Sequence, residues 1–89
     1  MNPAIIPFLA ALGCYPSPNT LVTVDPDAPL VGFAIDGHII VRQLDESVMV
    51  HELWHVCQWQ KAGRAWSNQE SARREAEARR VQLMWEDRE

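Results

Sequence analysis

The segment from Asp45 to Gly63 constrains the fold more than any other part of the chain. Asp45 or Ser47 can cap a helix, because either side chain can accept a hydrogen bond from a backbone N–H group of the first turn. From Val48 onward the residues suit a helical period, and Gly63 is a natural residue to end it. The sequence therefore predicts one long helix between these two signals.

This helix contains the motif His-Glu-Leu-Trp-His at positions 51–55. Residues four apart share one helix face, so His51 and His55 can bind one metal ion at about 2.0–2.1 Å from each nitrogen. Glu52 is placed to accept a proton from a metal-bound water, whose pKa zinc lowers to about 7, and to pass it to a leaving amine. The motif predicts amide hydrolysis, and the competing interpretation is two surface histidines on an amphipathic helix.

A further metal ligand is expected elsewhere in the chain, because a catalytic zinc usually has three protein ligands and one open position. The segment after Gly63 offers three carboxylates, Glu70, Glu75 and Glu77. His38 is the other candidate, but a single histidine on a predicted strand is more often a half-buried sheet residue. A glutamate from the last helix is therefore the preferred third ligand.

Signals in the first half of the chain predict one helix followed by three strands. Apolar residues recur at helical spacing before Gly13, which ends this first helix. Asp36-Gly37 is typical of a type I′ hairpin turn, because both residues tolerate positive φ. Three short runs are predicted as the strands of a small antiparallel sheet: Leu21–Val24, Leu30–Ile35 and His38–Leu44.

A capping box opens the last helix, with Ser67 as the cap and Glu70 reaching back to it. The helix is rich in Ala, Glu and Arg and runs to about Trp85 or Asp87. The predicted element order is α-βββ-α-α, an α+β fold. With 89 residues the chain allows one compact domain, residues 1–89.

Charge and hydropathy limit the classes of partner. The formal net charge of −4 argues against a nucleic-acid-binding protein, since phosphate contacts need a basic surface. No segment approaches the 18 or more apolar residues of a membrane span. One basic cluster is interleaved with glutamates and is expected to be a solvated helix face: Arg73, Arg74, Arg79 and Arg80.

Two cysteines, Cys14 and Cys57, are expected to be free thiols, with Cys57 in the core, because the chain has no clear secretory context. Residues 11–14 weakly resemble a lipoprotein cleavage site. However, no Lys or Arg precedes them, and Pro3 and Pro7 interrupt the apolar run. A short packed helix in a cytoplasmic protein is the expectation.

The HELWH motif, followed about twenty residues later by Glu-Ala-Glu-Ala at 75–78, resembles the gluzincin-type zincins, in particular their minimal single-domain members. In that family the residue after the Glu-x-Glu-Ala stretch is often an Asn or Asp that supports a ligating histidine. Here that residue is Arg79, so the sequence leaves open which carboxylate supports the histidine. The resemblance implies these site residues: the zinc ligands His51, His55 and Glu77, with Glu75 as the alternative to Glu77, and the general base Glu52.

The resemblance also implies a zincin-like fold and a zinc metallopeptidase that cleaves a peptide or protein substrate. In such a fold one edge strand of the sheet pairs with the extended substrate, and here that strand would be His38–Leu44. The alternative is a catalytically silent or latent zincin-fold domain that binds zinc for structure, or binds a protein partner.

Overall fold

The computed structural model describes residues 1–88, so Glu89, the last residue of the predicted domain, lies outside the described residues. The chain is α+β and has the predicted element order. Its elements are α1 (Ile5–Ala11), β1 (Leu21–Val24), β2 (Gly32–Ile35), β3 (His38–Val41), α2 (Glu46–Ala62) and α3 (Asn68–Glu86).

Helix α2 begins and ends where the sequence predicts. Asp45, rather than Ser47, is the cap, and its side chain accepts a hydrogen bond from the backbone N–H of Val48 at 3.1 Å. Gly63 ends the helix with a φ of 70°, and its N–H donates to the carbonyl oxygen of Trp59. Six residues of this helix are buried, so α2 lies at the centre of the fold: Met49, Val50, His51, Glu52, Leu53 and Val56.

Helix α3 packs along α2, and a buried arginine of α3 is bonded to the C-terminal end of α2. Ser67 caps α3 by accepting from the N–H of Glu70 at 3.0 Å, as predicted, but the Glu70 carboxylate binds Arg73 and Arg74 instead of reaching back. Arg74 is only 7% exposed and donates to the carbonyl oxygen of Gly63 at 2.6 Å. The prediction of a solvated arginine face is therefore wrong for Arg74, which ties the C-terminus of α2 to α3.

The sheet is mixed, which corrects the prediction of an antiparallel sheet. Strands β2 and β3 form the predicted hairpin, and positive φ angles at Asp36 (44°) and Gly37 (78°) agree with a type I′ turn. Strand β1, however, pairs with β3 in parallel, and the strand order is β1-β3-β2. Only β2 and β3 are joined by a two-residue turn. Residues 25–31 connect β1 to β2, which lie on opposite sides of β3 in the sheet.

Strand β3 is therefore central, and the prediction that His38–Leu44 forms a sheet edge is wrong. This strand ends at Val41, and both Ile39 and Val41 are fully buried against the helices. Strand β2 is an edge strand, and it is the strand that packs most closely against α2. The sheet edge nearest to the HELWH motif thus belongs to β2.

A disulfide bond joins Cys14 to Cys57, which corrects the prediction of free thiols. Cys57 lies two residues after His55, so it faces the opposite side of α2, where the segment after α1 returns to the helix. The Cα atoms of Cys14 and Cys57 are 5.6 Å apart, although the two residues are 43 positions apart in the chain. Phe8 of α1 packs edge-on against Trp85 of α3.

Among residues 1–88 no helix has the length and apolar character needed to cross a membrane.

Candidate metal centre

The HELWH face of α2 forms the floor of a cleft with a volume of about 890 Å³. One wall is β2 with the two residues before it, and the other is the α2–α3 loop together with one face of α3. We call this space the cleft. His51, Glu52 and His55 all line it, so the motif faces a concave surface large enough to hold part of a peptide.

His51 and His55 meet the carboxylate of Glu75 in the cleft. The Nε2 atom of His51 lies 2.7 Å from one carboxylate oxygen of Glu75, and the Nε2 atom of His55 lies 2.9 Å from the other. The candidate ligand atoms of these three residues all lie within 4.8 Å of one another. We call His51, His55 and Glu75 the metal group, because they could hold a metal ion.

Two glutamine side chains orient the imidazole rings of the metal group. Gln58 donates from Nε2 to the carbonyl oxygen of Arg74 and to Glu77, so its Oε1 atom is the one that faces Nδ1 of His55, at 2.7 Å. Likewise, Gln82 donates to Glu86 and presents Oε1 to Nδ1 of His51 at 2.8 Å. An amide oxygen only accepts hydrogen bonds, so each histidine carries its proton on Nδ1.

Each Nε2 atom of the metal group is therefore the ring nitrogen directed at Glu75. A nitrogen lone pair and a carboxylate oxygen at 2.7–2.9 Å attract each other only when a positive charge lies between them, either a proton on each ring or one shared metal ion. To hold a metal ion, each Nε2 atom and the Glu75 oxygen that faces it would have to move apart so that the ion could lie between them. Two imidazoles and one carboxylate are side chains of the kinds that bind divalent transition metals.

Glu77, the residue predicted as the third ligand, lies outside the metal group. Two residues along a helix correspond to a rotation of about 200°, so Glu77 and Glu75 point to nearly opposite sides of α3. The Glu77 carboxylate accepts hydrogen bonds from the indole N–H of Trp54 at 2.8 Å and from Gln58 at 3.1 Å. Its role in the structure is to hold Gln58, which in turn orients His55.

The surroundings of Glu77 keep it ionised. Burial alone would raise its pKa, but the hydrogen bonds from Gln58 and Trp54 and the charges of Arg73 and Arg80 outweigh burial and leave the pKa below its usual range. A permanently charged acceptor favours the amide orientation of Gln58 that directs Oε1 at His55. Glu75, which the sequence offered as the alternative ligand, is thus the glutamate that faces the two histidines. Glu77 acts on His55 only through Gln58.

Glu52 lies beside the metal group and is only 5% exposed. Its pKa is raised from 4.5 to about 7, mainly by burial; the neighbouring His51 opposes this rise, and the charge of Glu75 adds to it. Its carboxylate lies against the backbone of β2 at Gly32, where a Cβ atom would come within 3.2 Å of Oε2. A carboxylate with this pKa can both accept and release a proton near neutral pH.

The other candidates from the sequence lie away from the metal group. His38 shares a hydrogen bond with the hydroxyl of Thr23 on the neighbouring strand, as expected of a sheet histidine. Glu70 is held by Arg73 and Arg74. The only tyrosine of the chain, Tyr15, for which the sequence indicated no role, is 70% exposed and lines a second concavity beside the disulfide bond.

Sequence reasoning missed the roles of Gln82 and Gly32 and assigned none to Gln58. Gln58 follows His55 by three residues and Gln82 follows Glu75 by seven, so both share a helix face with a ligand, and that spacing is a usable signal. The role of Gly32 depends on how β2 packs against α2, which no local pattern indicates.

Comparisons of the chain with protein-family models, with curated proteins and with solved structures found no match. The geometry of the cleft is therefore the basis for any functional assignment.

Proposed function

We propose that this protein is a zinc-dependent metallopeptidase in which His51, His55 and Glu75 bind the ion and Glu52 is the general base. The observation that carries the proposal is the convergence of two imidazole Nε2 atoms on one carboxylate, next to a buried glutamate. With each Nδ1 donating to a glutamine, both Nε2 atoms remain as the nitrogens that a metal ion would bind in place of a proton.

The donor set favours zinc. Imidazole nitrogens suit several transition metals, but two histidines and one glutamate with a vacant fourth direction are typical of catalytic zinc. When bound, zinc supplies Lewis acidity to a carbonyl group and lowers the pKa of water.

Glu52 supplies the proton transfers of the proposed reaction. Because its pKa is about 7, it accepts a proton from the attacking water and delivers that proton to the departing amine at neutral pH. Burial against β2 excludes bulk water from one side of the carboxylate, which keeps the proton between Glu52 and the reacting groups.

Strand β2 is the surface on which an extended peptide would lie. Within residues 1–88 no strand pairs with its outer edge, and Leu30, Val31 and the residues from Gly32 to Ala34 line the cleft. A peptide that adds to this edge forms main-chain hydrogen bonds that do not depend on its sequence. This strand takes the place that the sequence had assigned to His38–Leu44.

A purely structural zinc site is the second candidate, and the geometry favours it less. Structural sites usually close with four protein ligands, often cysteines. In the part of the chain that the structure describes, the metal group has three members. Both cysteines form the disulfide bond, so neither is a free thiol that could bind a metal. A buried carboxylate beside the ligands also has no use in such a site.

The test is zinc content by elemental analysis, together with peptide hydrolysis, in a matched pair of glutamate variants. Glu75→Gln should lose most of the zinc, whereas Glu77→Gln should keep a stoichiometric amount with weaker affinity. Glu52→Gln should retain zinc and lose hydrolysis. Retention of zinc in Glu75→Gln and its loss in Glu77→Gln would reject the ligand assignment, and zinc loading without hydrolysis of any peptide would favour the structural site.

A further inference from the structure

The cleft carries more positive than negative side chains, in a chain whose formal net charge is −4. Its walls contain three arginines, Arg64, Arg74 and Arg79. Its only carboxylates, among the lining residues described, are Glu52 and Glu75. The acidic surplus of the chain therefore lies on the rest of the surface.

Two of these arginines are available to a ligand. Arg74 is buried and bound to Glu70 and to the carbonyl oxygen of Gly63, so its charge is already neutralised. Arg64 and Arg79 are exposed, and no carboxylate of residues 1–88 lies within ion-pair distance of either guanidinium. Their hydrogen-bond donors are directed to solvent or to whatever occupies the cleft.

The helical spacing places Arg79 next to the metal group. Glu75, Arg79 and Gln82 are four and three residues apart and share the face of α3 that lines the cleft. The rise from Glu75 to Arg79 is about 6 Å along the helix axis, roughly two residues of an extended peptide. Arg64 lies in the loop before α3, toward the opposite end of the same face.

A bound divalent ion would increase the positive charge of the cleft. Even with Glu52 and Glu75 both ionised, the ion and the two unpaired arginines exceed the carboxylates by two units of charge. A concave surface with such an excess attracts anions and repels cations over a distance of about 8–10 Å at ordinary salt concentrations.

We infer that the cleft selects peptides that carry carboxylates, and that Arg79 is the residue that determines this specificity. The planar guanidinium group can bind a carboxylate through two parallel hydrogen bonds, which gives direction as well as charge. The carboxylate is a glutamate or aspartate side chain or the C-terminus of the peptide. That the bound peptide is a substrate rests on the proposed function.

The experiment measures peptide binding by the fluorescence of Trp59 and Trp66, which line the cleft, in zinc-loaded Glu52→Gln protein. Three decapeptides serve as probes. The first has glutamate at alternate positions and blocked ends, the second has glutamine at those positions and blocked ends, and the third is the glutamine peptide with a free C-terminal carboxylate. Alternate positions are used because they point to the same side of an extended chain.

A matched pair of variants tests Arg79. Arg79→Gln and Arg80→Gln remove the same charge from adjacent positions of α3, but Arg80 does not line the cleft. At low salt, a carboxylate peptide should bind at least tenfold more tightly than the blocked glutamine peptide. This ratio should fall to about one in Arg79→Gln, remain in Arg80→Gln, and be partly restored in Arg79→Lys.

The outcomes separate this inference from the proposed function. A preference for the glutamate peptide identifies side chains as the source of the carboxylate, and a preference for the free C-terminus identifies the end of the chain. A ratio near one in the unsubstituted cleft, or equal losses in the Arg79 and Arg80 variants, would overturn the inference. Because the contact with Arg79 does not involve the ion, part of the preference should persist in protein treated with a chelator. Binding of carboxylate peptides together with no hydrolysis by the protein that retains Glu52 would reject the peptidase proposal alone. Hydrolysis by that protein without a preference for carboxylates would reject the role of Arg79 alone.

Discussion

Reduction of the Cys14–Cys57 disulfide should lower the free energy of unfolding by about 4 kcal/mol at 25 °C. The two cysteines are 43 residues apart, and closing a loop of that length removes about 13 cal/mol/K of entropy from the unfolded chain. A domain of this size has a total stability on the order of 5–15 kcal/mol, so the loss is a large fraction of the whole. The melting temperature should fall by more than about 15 °C.

The assay is urea denaturation followed by tryptophan fluorescence, with the same protein oxidised and reduced. This comparison leaves every side chain in place, so the cavity that a cysteine-to-alanine change would create does not enter the measured difference. The double variant Cys14→Ser/Cys57→Ser is the control, and its unfolding should not respond to the reductant. A difference below about 1 kcal/mol between the oxidised and reduced proteins would refute the loop-closure argument.

Three further changes test individual contacts of the site and of the fold. Gly32→Ala should push Val48 and the Glu52 carboxylate away from β2, destabilise the protein by about 1–3 kcal/mol and reduce peptide hydrolysis at least tenfold, because the new Cβ would lie 2.8 Å from Cγ1 of Val48 and 3.2 Å from Oε2 of Glu52. Gln58→Leu should weaken zinc binding by about 10–100-fold, since His55 loses the acceptor that fixes its tautomer. Arg73 and Arg74 lower the pKa of Glu70 from 4.5 to about 2, so the stabilisation from Glu70 should be complete above pH 4.5 and lost as the pH falls toward 2.

Each of these changes has its own measurement. For the Gly32 variant it is urea unfolding together with peptide turnover, and unchanged turnover would mean that Glu52 does not lie against β2 as described. Competition with a fluorescent zinc chelator measures the Gln58 variant, and native affinity there would contradict the orienting role of the amide. For Glu70, the difference in melting temperature between the native protein and Glu70→Gln should shrink from pH 5 to pH 2.5, and a constant difference would contradict the assigned cause.

Features that depend on neighbouring residues were predictable from the sequence. The Asp45 cap, the Gly63 stop, the Ser67 cap and the Asp36-Gly37 turn each depend on backbone conformations that a few adjacent residues determine, and the structure confirms all four. The pairing of His51 with His55 on one helix face follows from the helical period alone.

Features that depend on distant packing were not predictable. The choice between Glu75 and Glu77 depends on how α3 is rotated against α2, and helical periodicity on one helix does not determine that rotation. The parallel pairing of β1 with β3 and the disulfide bond each join segments that are far apart in the chain. Charge patterning likewise did not separate Arg74, which is buried between the helices, from its exposed neighbour Arg73.

The position of the disulfide bond determines which pieces of the chain would stay together after a cut in the backbone. The covalent ring from Cys14 to Cys57 encloses all three strands and the first twelve residues of α2, and it leaves α3 outside. A protease cut between β1 and β2 would therefore yield two fragments that migrate as one under non-reducing conditions. A cut in the loop at residues 63–66 would release α3 with Glu75, and only packing, together with any ion shared between the helices, would hold it in place.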